Sequence, residues 1–194
     1  MRMRAPGEYT GSPLTFQHLA EIAQMQSEIL ILRFIHVLGG IFWVGAHLFT
    51  TFFLMPAFAS AGPAAGPVMA GLQQRRIFTI LPVVAVLTLL SGFRLMQITS
   101  GGFSAAYFDS PGGRVYAWGG VAAIAAFVIG MLVARPAAVR MGRLAAAAVS
   151  APAEDRERNA AELGRIRGRA RASALVVAVL LIVAATAMAT ARYV

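Results

Sequence analysis

Four long apolar runs organise the chain: Phe34 to Met55, Ile77 to Ile98, Val115 to Ala134 and Ser173 to Ala191. Each has roughly the 20 residues that cross a hydrocarbon layer of about 30 Å at about 1.5 Å per helical residue. None shows the strict alternation of a barrel strand. Backbone groups in lipid must be satisfied within a helix or a closed barrel, so the runs predict helices. The expected architecture is all-α: a four-transmembrane-helix bundle with spans at about 29–58, 77–99, 115–134 and 173–192. Residues 1–28 form an extramembrane segment, and residues 29–194 the transmembrane domain.

The connections are patterned as well. Ser12-Pro13 reads as an N-cap with proline at the first helical position, which predicts a short interfacial helix carrying Phe16, Leu19, Ala20, Ile22 and Ala23. Gly101, Gly102, Gly112 and Gly113 predict a flexible loop between the second and third spans. Arg135-Pro136 predicts the end of the third span, or a kink in it, because proline clashes with the preceding turn. Beyond it, Ala137 to Val149 continues as helix, Ser150-Ala151-Pro152 marks a break, and Glu154 to Arg171 leads helically into the fourth span.

Composition narrows the chemistry. Of 194 residues, 58% are hydrophobic and 13% charged, and there is no cysteine. Disulfides, thiolate metal sites and catalytic cysteines are thereby excluded. All 17 basic residues are arginine, which excludes Schiff-base chemistry and a phosphate-loop lysine. Their placement is topological. Eleven fall in the first and third loops, with four on the opposite side and Arg33 and Arg94 just inside the spans. Positive-inside bias predicts that loops one and three face the cytoplasm and both termini lie outside. No aromatic residues interleave the arginines, so the basic charge predicts no nucleic-acid partner.

Candidate chemistry concentrates in the first span, Arg33-Phe-Ile-His36-Val-Leu-Gly39-Gly40-Ile-Phe-Trp43-Val-Gly45-Ala-His47. His36, Gly40, Trp43 and His47 recur at i, i+4, i+7 and i+11, which stacks them on one helix face. The two histidines stand about 16 Å apart along the axis, too far to share one metal. Counting inward from the span edges places Arg94, Met96, Tyr116, Trp118, Met188 and Thr190 level with His36. The same count places Ala85, Thr88, Val128 and Val179 level with His47. Two cofactor readings follow. One is haem b on His36, with Arg33 and Arg94 facing propionates, Gly40 leaving room for a flat ring, and Trp43 and the deeper His47 completing the cofactor-binding candidates. The other is copper, held as Cu(I) by His36, Met96 and Met188. Against both stands a packing role, with neutral histidines bonded to threonine or backbone oxygens. No carboxylate lies in any span, so Arg94 is expected to meet a propionate, a bound anion or a lipid headgroup. The same lack leaves no intramembrane acid or base for proton coupling. Asp109 and Asp155 fall in loops on opposite sides, so no Ser–His–Asp set can form and catalysis is not expected.

The segment HVLGGIFWVGAH, preceded by LRF, resembles the first-helix motif of CopD-like membrane proteins and the small four-helix proteins grouped with them. It is more loosely similar to the membrane parts of cytochrome-type urate oxidases and to HemJ-type proteins. The close resemblance spans about 30 residues and implies a bacterial inner-membrane protein in which His36 matters most, with haem b or copper as cofactor. The competing expectation is a cofactor-free accessory or assembly subunit of a larger membrane complex, or a homo-oligomer, with small-residue faces for docking. In either case the lipid bilayer is a partner.

Overall fold

The computed structural model describes residues 16–148 and 152–194. Among them there is no strand. Helix α1 runs Phe16–Phe49, continues through a π-helical stretch Thr50–Leu54 and ends as α2, Met55–Ala61. After a 3-10 turn come α3, Ala65–Gln74, and the second span α4, Ile77–Thr99. The short α5, Ala105–Asp109, leads to α6, Pro111–Ile129, which passes through a second π-helical stretch, Gly130–Ala134, into α7, Arg135–Ala148. Helix α8, Ala153–Thr190, completes the fold. Four of these continuous rods are long and apolar enough to cross a membrane: Phe16–Ala61, Ile77–Thr99, Pro111–Met141 and Ala161–Tyr193. The chain is a multi-pass membrane protein built as an all-α four-helix bundle.

The rods assemble as two close antiparallel pairs, α1 with α4 and α6 with α8, joined more sparsely across the bundle. The joint is the apolar core. Trp43, Ala85, Ala126, Val177 and Leu181 meet there, one or two from each rod. Alanine and glycine dominate the buried positions, which lets backbones approach closely where lipid supplies no hydrophobic drive between helices. The large apolar side chains, among them Phe34, Phe93, Leu132 and Val179, point outward, as a bilayer solvent requires.

Several boundaries differ from those expected. The first helix starts by Phe16 instead of about Ile29, so Phe16 to Glu28 is not a separate interfacial helix but the extension of the first span. No glycine or proline lies between Phe16 and Leu38, and nothing there stops a helix once begun. The expected cap at Ser12-Pro13 and most of the Ser150-Ala151-Pro152 break lie outside the described residues. Gly112 and Gly113, expected in a loop, belong to the first turn of α6. Ser110 caps that turn by accepting the Gly113 N–H at 3.0 Å, and Pro111 occupies the first helical position. A side chain at Gly113 would run into the Tyr107 carbonyl, and one at Gly112 into that of Ala191. Those glycines therefore serve close packing, not looseness. The third span neither ends nor breaks at Arg135-Pro136. In the π-helical turn before it the Arg135 N–H bonds the Gly130 carbonyl, and the rod passes Pro136 into α7.

Candidate functional site

The first span's stripe fans across three neighbouring helices. His36 and Gly40 face α4. The His36 Nδ1–H donates to the Thr88 carbonyl at 2.8 Å, since a carbonyl oxygen only accepts. Its ring lies on Gly92: a Cβ built there would sit 2.5 Å from Cε1 and 2.8 Å from Nδ1. A Cβ at Gly40 would fall 3.8 Å from the Thr88 methyl, and one at Gly39 would strike the Thr88 hydroxyl. That hydroxyl donates back to the Val84 carbonyl at 2.8 Å. Ser91 donates to Leu87 at 2.7 Å and lies 3.0 Å from the Thr88 carbonyl, so a small polar cluster surrounds His36.

Trp43 points into the core, 8% exposed, with its ring edge-on to Phe127 at 6.4 Å. His47 reaches α8, donating Nε2–H to the Ala174 carbonyl at 3.0 Å, with the Thr51 hydroxyl 3.4 Å from the same nitrogen. The depth register thus differs from the expected one, by about three turns of α1 for Thr88, which meets His36 and not His47. Ala85 lies level with Trp43, Thr88 with His36, and His47 has polar neighbours instead of a dry layer. Edge counting misplaces these levels because α1 already meets the outer end of α4 at Glu28, before its apolar run begins.

Arg94 is corrected most sharply. Its Nε donates to Glu28 Oε1 at 2.7 Å, and Nη1 donates to Gln97 at 2.9 Å. The carboxylate thought to be missing is supplied by the same chain, because the helix that carries His36 already includes Glu28 two turns earlier. The pair sits at the bundle surface, with side chains 46% and 40% exposed, not beside His36. Arg33 is exposed and has no ion pair among the described residues.

The two methionines come to one layer. The Met96 methyl lies 3.9 Å from a Cβ built at Gly120, and the Met188 methyl 3.4 Å from one built at Gly119. Adjacent residues of α6 therefore receive thioethers from α4 and from α8. Met96 is one turn, about 6 Å, beyond Gly92 on α4. That sets the thioether layer just outside the imidazole of His36.

With Nδ1 donating, a neutral His36 carries its lone pair on Nε2. That nitrogen has no hydrogen bond, and no buried side-chain nitrogen or oxygen among the described residues lacks one, so Nε2 lies at an open edge. A ring fixed through one N–H to a backbone carbonyl is how imidazole is oriented when its other nitrogen ligates a metal. Among the described residues no three His, Asp or Glu side chains converge as a metal site. A metal at His36 would therefore draw on thioethers or small exogenous ligands. Sequence reasoning missed Gly92, Thr88, Glu28 and Ala174 as partners. The glycine in Ser91-Gly92-Phe93-Arg94 was the available signal, a gap in an otherwise bulky run. Comparison of the chain with protein-family models, with curated proteins and with solved structures finds no match.

Proposed function

We propose that this membrane protein binds a redox metal in the outer half of its bundle through His36 Nε2, with copper favoured over haem iron. The observation that carries the reading is the imidazole itself, locked by the Thr88 carbonyl and the Gly92 backbone with its second nitrogen open. Copper is favoured on two grounds. Arg94, whose charge a propionate would use, is neutralised by Glu28. Met96 and Met188 share a layer about one turn outward of the His36 ring, and soft thioethers suit Cu(I). Bound there, copper would supply one-electron chemistry; the CopD-like resemblance of the first span points the same way. In this reading Trp43 and Gly40 shape the packing beside the site, Arg33 stands at its outer rim, and His47 ties α1 to α8 away from the metal.

Metal analysis and an absorption spectrum of the detergent-purified protein test it. Copper is expected, bound near one equivalent, lost in His36→Ala and kept in His47→Ala. A haem Soret band lost in His36→Ala would replace copper by haem b. Equal retention by parent and His36→Ala would overturn the site.

The second reading is a cofactor-free accessory subunit of a larger bacterial inner-membrane complex. It is favoured by the first span, whose most apolar window is 6% buried against 28% for the fourth. Under it, parent protein purified from copper- and haem-replete cells holds neither.

The arginine-rich loops set the orientation we propose, with both termini outside the cytoplasm. Reporter fusions at Ala64 and Ala153 are expected to read cytoplasmic, and one after Val194 periplasmic. The reverse pattern would invert the site to the inner half.

A further inference from the structure

Where the π-helical stretch carries α6 into α7, the surface holds an open hollow unconnected with His36. Its volume is about 830 Å³, and Met131, Val139 and Leu144 line it together with Arg135, Arg140 and Arg143. These residues belong to one continuous rod. The hollow lies along that rod where the apolar third span gives way to the basic α7. It therefore straddles the boundary between hydrocarbon and headgroups.

The three arginines differ in what they already hold. Arg140 is paired with Glu162 of α8, which fastens α7 against that helix. Arg135 and Arg143 have no carboxylate partner among the described residues, and both are exposed. They stand two turns apart, about 12 Å along the axis, with Val139 between them on nearly the same face. Two uncompensated guanidinium groups thus flank an exposed apolar strip. Guanidinium forks match phosphate oxygens bidentately, and the strip has no use for a free inorganic anion. Arg165, Arg167, Arg169 and Arg171 of α8 add to the positive potential at this end of the bundle.

We infer that this hollow is a binding site for an anionic phospholipid, with its phosphate held between Arg135 and Arg143 and an acyl chain laid along Val139 and Met131. The occupant is a lipid and not a peptide because the apolar strip runs directly into the lipid-facing surface at Leu132 and Val133. A phosphate there also balances two arginines that have no carboxylate partner among the described residues.

The test reconstitutes the full chain in phosphatidylcholine vesicles containing spin-labelled phosphatidylglycerol or, separately, spin-labelled phosphatidylcholine. The motionally restricted fraction of each label reports its relative affinity for the protein surface. The parent is expected to select phosphatidylglycerol, and Arg135→Gln/Arg143→Gln to lose roughly fivefold or more of that selectivity, as expected for basic groups near the surface. Arg167→Gln/Arg169→Gln removes the same charge from the same end and is expected to keep most of it. Glutamine is a good helix former at these exposed positions, and unchanged melting in detergent checks that each variant folds. Equal loss in both double variants would mean a diffuse field instead of a site and overturn the inference. So would a parent that does not distinguish the labels, or displacement of the restricted lipid by millimolar inorganic phosphate at constant ionic strength.

Discussion

Replacing Trp43 with alanine is expected to lower the melting temperature of the purified protein more than any other truncation in the bundle core. Trp43 is the largest buried side chain at the level where all four rods meet, and with Val44 beside it joins α1 to Phe127, Val177 and Leu181. In water-soluble cores, Trp→Ala costs about 3–5 kcal/mol, part transfer and part cavity. Between helices in lipid the transfer part largely vanishes, because the tails are as apolar as the core. The lost dispersion contacts and the unfilled volume remain. A destabilisation of about 2–4 kcal/mol is therefore expected, with a smaller one for Trp43→Phe. Trp118, 70% exposed, is the control: Trp118→Ala should melt close to the parent. Parallel small losses in both variants would show that the four rods are not joined through Trp43.

The second large effect is expected from the smallest change, Gly92→Ala. A methyl group there would lie 2.5 Å from His36 Cε1, so the imidazole must shift, and its bond to Thr88 is expected to weaken or break. Overpacking costs typically about 1–3 kcal/mol, and a lost hydrogen bond about 0.5–1.5 kcal/mol. Helix propensity works the other way, by up to about 1 kcal/mol. The net expectation is a clear fall in melting temperature together with loss of whatever metal His36 holds. Gly45→Ala isolates the propensity contribution, since no neighbour lies within 4 Å of a Cβ there. It should be neutral or stabilising. A Gly92→Ala protein that melts and binds metal like its parent would remove Gly92 as the seat of the imidazole.

Both effects depend on contacts that the apolar runs only partly disclose. Span number and helical class were legible because hydrocarbon thickness imposes a length on every crossing, and each run meets it. The inward stripe of His36, Gly40, Trp43 and His47 was legible from helical spacing alone. Its fanning over α4, the core and α8 was not, because spacing along one helix says nothing of how neighbours slide against it. Glu28 shows the cost. Read as part of a leader, it could not be matched with Arg94, although antiparallel pairing of α1 with α4 brings them to 2.7 Å. Gly92 was invisible for the same reason: a glycine in an apolar run takes its meaning from the residue opposite. The continuity through Pro136 was hidden by a competing rule. Proline stops an α-helix, but a wider turn just before it accommodates the missing donor.

That wider turn has a geometric consequence. A π-helical turn is equivalent to one residue inserted into an α-helix, and one residue is about 100° of rotation. Thr50–Leu54 and Gly130–Ala134 each contain such an insertion, the first ahead of the arginine-free Met55–Ala61 and the second ahead of the arginine-bearing α7. The rod beyond each is out of phase with the rod before it. A periodicity set on Trp43 no longer reports which side of Met55–Ala61 faces inward, and one set on Ala126 fails likewise for α7. The azimuth of the segment beyond each turn is thereby uncoupled from that of the core, and a single-residue deletion in either turn would swing it by more than a quarter revolution while the buried layer stayed in place.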